Sequence, residues 1–237
     1  LSPSTQENNY YVSGGTEGQY MNLLADKMIP FLDASGIRYV RNTPDMTAVS
    51  SIAASNAGNY DLHLALHSNA APEGRYGQAR GSIVFYYPGS VQGQEAARLI
   101  ANGLKAIYPL PNLVRAQPTT AIGEVRRVRA PSVFLELAFH DNEADAAWIK
   151  NNLDAVARSI VLSLTEYFGI PFYESSQPRE GRVDVSWGVL NIRARPEMGA
   201  PILAQAPDGA QLTILNGSDG WYLVNYNGTV GYASDDF

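Results

Sequence analysis

Three short apolar runs, separated by helix-length segments, constrain the first two-thirds of this chain. DLHLALHSN (61–69), GSIVFYYP (81–88) and PSVFLELAFHDN (131–142) read as strands. The last is almost uninterrupted, broken by one carboxylate, Glu136. Ahead of them, YMNLLADKMIPFLDASG places Met21, Leu24 and Met28 at helical spacing, with Pro30 expected to end or kink the helix. TAVSSIAASNAG reads as a small-residue helix closed by Gly58. SVQGQEAARLIANGLKAIY puts Val91, Ala97, Ile100, Leu104 and Ile107 on one helical face. A long helix follows Asn142, with Asn142 and Asp145 in capping-box positions and Gly169 as C-cap. IRYVRN, after Gly36, reads as a further strand, and Leu1 falls within one. Apolar strands alternating with helices predict an α/β domain with a buried, largely parallel sheet and flanking helices, ending near Phe172.

After that point the sequence changes character. Residues 173–182, YESSQPREGR, read as a polar linker. Residues 183–237 are short alternating strands punctuated by turn signals such as Asp208-Gly209 and Asn227-Gly228, which predict a small all-β barrel. The charge shifts too, from net −2 over 1–172 to net −4 over 173–237.

A total charge of −6 and the lack of a basic cluster argue against a nucleic-acid partner. No window is long and apolar enough for a membrane span. Without cysteine, any metal site must use nitrogen and oxygen ligands. The opening LSPST lacks both Met and a leader, which is expected if a signal peptide has been removed or the sequence cropped.

His63 and His67 invite a metal reading, and strand geometry limits it. Four residues at about 3.3 Å each separate their Cα atoms by roughly 13 Å. Zinc bonds to imidazole at only about 2.1 Å, so the two cannot share an ion. His67, at the strand's C-terminal end, is the better ligand candidate; His63 reads as a structural histidine. Glu136 is costly to bury in its apolar run unless paired, metal-linked or protonated. It is either a salt-bridge partner of Arg126, Arg127 or Arg129, or a general base with a raised pKa. His140, just past the same strand, is a ligand, a supporting group or a loop histidine.

In order and spacing these segments resemble the zinc-dependent N-acetylmuramoyl-L-alanine amidases of the Amidase_3 type. GTEGQYMNLLADKM matches that family's Glu segment, LALHSNA its S-x-H-x-N, and LELAFHDN its E-x-G-F-x-x-N. RYVRNTPD and NAGNYDLH match the flanking stretches, and the resemblance covers about 1–172. It implies that Glu17 and His67 ligate zinc, that Glu136 is the catalytic base, and that Asn69 contacts substrate. The bond cut would join the lactyl group of N-acetylmuramic acid to L-alanine of the peptidoglycan stem. At the family's first histidine, in DPGHGG, this chain reads SPSTQ, with Thr5 opposite that histidine. The third ligand is then Gln6, His140 or absent, and fewer strong ligands imply weaker metal retention.

VLNIRARPEMGAPILAQAPDGAQLTILNGSDGWYLVNYNGTVGYASDDF resembles bacterial SH3-like modules. The carriers are Asn191 and Arg193, Gly209 with Leu212, Gly220-Trp221-Tyr222 with Val224, and Gly231-Tyr232. Such modules commonly hold wall enzymes to peptidoglycan, so the resemblance implies a secreted bacterial wall hydrolase. Two other readings stand beside it: a weakly active or inactive wall-binding protein with an amidase-shaped domain, and a metal peptidase on a similar sheet.

Overall fold

The apolar runs pair into one five-stranded sheet, and the intervening segments supply its helices. In the computed structural model, residues 1–174, 178–218 and 220–236 are described; 175–177, within the expected linker, lie outside them. The elements in order are β1 (Ser2–Pro3), α1 (Glu17–Ala34), α2 (Ala48–Ala57), β2 (His63–Asn69), β3 (Ile83–Tyr86), α3 (Val91–Ile107), β4 (Arg115–Pro118), α4 (Gly123–Arg126), β5 (Ser132–Phe139) and α5 (Glu143–Phe168). The sheet order is β1-β2-β5-β3-β4. β1, β2 and β5 run parallel; β3 is antiparallel to β5 and parallel to β4. The sheet is therefore mixed, with one antiparallel pairing. Val133, Leu135 and Leu137 of the central strand are fully buried. Residues on both its faces are buried, which explains its unbroken apolar sequence.

Several local expectations are corrected. α1 runs through Pro30 without a break. Proline forfeits one backbone bond, but Met28, Leu32 and Ala34 around it are buried, and packing outweighs propensity. The helix closes with Ser35 N–H on the Phe31 carbonyl (3.0 Å) and Gly36 at φ +70°. Residues 37–42 form no strand; they meet the start of the chain through Leu1 N to Val40 O (2.7 Å), Asn42 N to Leu1 O (3.1 Å) and Asn42 Nδ2 to Pro3 O (3.1 Å). β1 is two residues long and offers no longer ladder. On α3, Val91 is 80% exposed, so the buried face starts at Gly93. Asn142 does cap α5, accepting from the Ala144 and Asp145 N–H groups (3.1 and 3.2 Å). Asp145 does not complete a capping box; its fully buried carboxylate takes Arg80 Nε (2.8 Å), Tyr108 OH (2.6 Å), Gly81 N–H (3.0 Å) and Phe139 N–H (3.1 Å).

Near its end β5 carries one extra residue. His67 is in register with Glu136, but Asn69 with Phe139. The extra residue is accommodated at Ala138, whose φ of +57° lies in the left-handed region. Ala138 stands where the E-x-G-F pattern has glycine, the residue that tolerates this conformation. Ala138→Val is expected to cost about 2 kcal/mol or more, because a β-branched side chain is strained there and the site is fully buried. Thermal unfolding should show Tm several degrees lower; an unchanged Tm would rule the strain out.

The connection from β2 to β3 passes over the end of β5, which lies between them in the sheet. It is held from beneath by residues just after β5. Asp141 accepts from Ala71 and Gly77 N–H (3.2 and 2.8 Å), and Asn142 donates to the Gly77 carbonyl (2.6 Å).

By contacts the chain separates into Leu1–Met28 with Tyr39–Tyr167, and Ile29–Arg38 with Phe168–Phe237. In the second unit the Ser35 hydroxyl accepts the Tyr173 N–H (3.0 Å), and Phe31 stacks on Phe172. Its strands are β6 (Arg179–Arg182), β7 (Val189–Arg193), β8 (Ile202–Pro207), β9 (Gln211–Ser218), β10 (Trp221–Tyr226) and β11 (Thr229–Ser234). They form one antiparallel sheet, order β6-β9-β10-β11-β7-β8. β6 corrects the linker reading of 179–182: its polar residues pair at the sheet edge with β9, where the backbone needs no apolar sequence. Leu190, Ile192, Ala206, Leu212, Val224 and Ala233 share one core, so the sheet curls around it. Asn227 and Gly228, at φ +50° and +84°, form the expected two-residue hairpin turn between β10 and β11.

Candidate active site

The fold brings three sequence candidates near the C-terminal ends of β1, β2 and β5. His67 lies on β2 beside Glu136 on β5, its register partner. Glu17 opens α1, where the helix N-terminus favours a carboxylate. Glu17 is buried at 2% exposure, and its Oε1 lies 2.8 Å from His67 Nδ1. Its Oε2 accepts from Asn9 (2.6 Å), and Oε1 also accepts from Ser68 N–H (3.3 Å). The His67 ring stacks on Phe134 at 4.2 Å between centroids.

The other edge of that ring holds a group outside the sequence candidates. Glu124, on the four-residue helix α4, places its carboxylate 3.6 Å from His67 Nε2. The same carboxylate meets His63 Nε2 at 3.3 Å and accepts from the Ser2 hydroxyl at 2.6 Å. One carboxylate thus answers both histidines of β2. In sequence Glu124 lies between Gly123 and Val125, just before Arg126 and Arg127, with no apolar run to announce burial; the fold buries it to 4% exposure.

The electrostatics follow from burial and pairing. Burial alone would lower the His67 pKa, but the Glu124 and Glu17 carboxylates raise it to about 9. Burial pushes Glu124 up, yet His63, His67 and Ser2 bring it down to about 2. Glu17 is likewise pushed up by burial and brought below its ordinary value by His67 and Asn9. Glu136 differs: burial drives its carboxyl up to about 7, the His67 cation opposing and the Glu17 charge reinforcing. Its Oε2 is buried without a hydrogen-bond partner. Arg126, Arg127 and Arg129 are exposed, so the salt-bridge reading of Glu136 does not describe this fold.

The remaining candidates stand further out. His140 is 5% exposed, stacked on Tyr11, with Nδ1 on the Ser68 hydroxyl (3.0 Å) and its pKa lowered by burial. It meets the His67 neighbourhood through Ser68, and its backbone N–H donates to the Asn69 carbonyl (2.8 Å). The Gln6 side chain is exposed; the Gln6 backbone carbonyl accepts from Gly18 N–H (3.1 Å). The Thr5 hydroxyl donates to the Met46 carbonyl (2.9 Å). Asn69 turns its Oδ1 back to the Ala70 N–H (2.9 Å) at the end of β2.

The donor set can be tested against zinc. Two donors on one zinc, each at about 2.1 Å, stand roughly 3 to 3.5 Å apart. Glu17 Oε1 and His67 Nδ1, at 2.8 Å, lie within a few tenths of an ångström of that spacing. The partnerless Glu136 Oε2 offers a buried oxygen nearby. Among the described residues no group of three His, Asp or Glu stands close enough to hold one ion. The residues therefore fit as a two-donor site.

A buried carboxyl poised near neutrality, beside a carboxylate–imidazole pair at the strand ends of an α/β sheet, defines a hydrolase that activates water. The profile of the N-acetylmuramoyl-L-alanine amidases (Amidase_3) matches residues 5–166, and that of bacterial SH3 domains matches 188–237. The chain belongs to the N-acetylmuramoyl-L-alanine amidase family, and its enzyme class is the peptidoglycan amidases. That family is generally zinc-dependent. No curated protein matches the sequence. Solved structures share the amidase fold. AmiC2 of Nostoc punctiforme is 15% identical over 71% of this chain and 94% of its own, TM-score 0.61. The CwlV catalytic domain of Bacillus (Paenibacillus) polymyxa var. colistinus is 15% identical over 72% and 97%, TM-score 0.60. Ami1 of Mycobacterium smegmatis is 19% identical over 70% and 83%, TM-score 0.59. Among the described residues no helix is long and apolar enough to cross a membrane.

Proposed function

We propose that this chain hydrolyses the amide between N-acetylmuramic acid and L-alanine with Glu136 as general base and zinc held by Glu17 and His67. The observation that carries this reading is the partnerless, buried Oε2 of Glu136, with its pKa near 7, beside the Glu17–His67 pair. When bound, zinc would polarise the amide carbonyl and acidify water. Glu136 takes the proton from the attacking water as oxygen bonds to the carbonyl carbon. It then hands that proton to the alanine nitrogen as the carbon–nitrogen bond breaks. Phe134 and Glu17 orient His67, and Asn69 contacts substrate at the end of β2. Gln6 and His140 are not required as ligands in this reading.

Residues 1–172 serve as the catalytic domain and 183–237, with β6 at the edge of their sheet, as an SH3-like wall-binding domain, joined through 173–178. The protein is secreted and works in the bacterial cell wall. With two protein donors in place of the three usual at catalytic zinc sites, the metal is held weakly.

The test is metal content by mass spectrometry on protein purified without chelator, with peptide release from purified peptidoglycan. Zinc below stoichiometry, restored by added zinc and abolished with activity in His67→Ala, is the expected result. No peptide release with zinc added back would leave a wall-binding domain of amidase shape.

A further inference from the structure

The fold spends four elements on holding Glu124, a residue outside the reaction just described. Its carboxylate is fixed by Ser2 of β1 and His63 of β2, and its carbonyl accepts the Ser132 hydroxyl of β5 at 2.7 Å. His63 is itself fixed, with Nδ1 on the Ser55 hydroxyl at 3.1 Å. A buried carboxylate this constrained keeps its place without the rotamer freedom of a surface glutamate.

Its position excludes one role. Nδ1 and Nε2 lie on opposite edges of an imidazole. Glu17 occupies the Nδ1 edge at 2.8 Å and Glu124 the Nε2 edge at 3.6 Å. An ion shared by His67 and Glu17 is therefore beyond the reach of Glu124. The direction of approach agrees, for Glu124 also touches His63, one strand turn toward the start of β2 and away from Asn69.

We propose that Glu124 is a positioning residue: held by Ser2 and His63, it grips the Nε2 edge of His67 and aims Nδ1 at Glu17. The ring is then restrained on three sides, by Phe134 on its face and a carboxylate at each edge. This rests on the reading of Glu17 and His67 as the metal-holding pair. An outer carboxylate of this kind typically governs metal affinity by 10- to 100-fold.

The experiment compares wild type, Glu124→Gln and Glu124→Ala by zinc affinity, measured in competition with a chelating dye, by kcat and KM, and by NMR order of the His67 ring in metal-free protein. Glu124→Ala is expected to weaken zinc about 10- to 100-fold. It should lower kcat with little change in KM and leave the ring less ordered, Glu124→Gln falling between. A lower Tm with affinity, kcat and ring order all unchanged would reduce Glu124 to a structural residue and overturn the proposal. Should Glu124→Ala not fold, Glu124→Gln decides, since it keeps the size of the side chain. Wild type that takes up no zinc would sink the metal reading instead, and ring order alone would then judge Glu124.

Discussion

Glu136→Gln is expected to lower amidase activity by about 10²- to 10⁴-fold, the contribution of a positioned general base. The same variant is expected to be the more stable protein above pH 7. The folded pKa is raised from 4.5 to about 7, so the fold favours the neutral carboxyl. That contribution is fully present below pH 4.5 and is lost as pH rises through 7. Above that pH the buried charge costs up to about 3 kcal/mol, at 1.36 kcal/mol per unit. Glutamine has no charge to bury. Thermal unfolding in chelator should therefore give similar Tm values at pH 5 and a gap of several degrees at pH 8. A Glu136→Gln enzyme keeping a tenth of its activity would remove Glu136 from the chemistry.

The second large effect is on stability. Asp145→Ala is expected to cost about 3–5 kcal/mol, the usual range for breaking a buried charged network. The Arg80 side chain is 29% exposed and can turn to water. The Tyr108 hydroxyl and the Gly81 and Phe139 N–H groups lose their acceptor inside the protein, and each orphaned group carries a penalty of about 1–3 kcal/mol. Chemical denaturation should show a midpoint shift of this size with an unchanged m-value. A loss under 1 kcal/mol would mean that water replaces the carboxylate.

The legible parts of this molecule are those where burial leaves a pattern. The apolar run around Glu136 marks a central strand and makes its carboxylate conspicuous. The period-two leucines beside His63 and His67 fix a strand and so separate the two histidines. Asn227-Gly228 announces its hairpin because only a left-handed pair fits there. What escaped notice depends on long-range contacts. Glu124 is held by residues 61 and 122 positions away, and its own short segment carries no apolar run to mark it. Asp145 carries a helix-capping signature that the fold overrides with four stronger partners. Residues 37–42 have strand propensity but meet a two-residue neighbour, and Pro30 is absorbed by packing on both sides of it.

The connection over β5 has a mechanical consequence. Its fasteners, Asp141, Asn142 and Asp145, all come from the six residues that follow the strand bearing Glu136. Roof and floor of the site are therefore a single cooperative unit, unable to part without breaking the turn between them. The segment between β1 and α1 is tied to the same turn, Val12 N–H donating to the His140 carbonyl (2.9 Å), and to α5 through Lys150 on the Ser13 carbonyl (2.8 Å). The arch therefore changes only together with the strand beneath it.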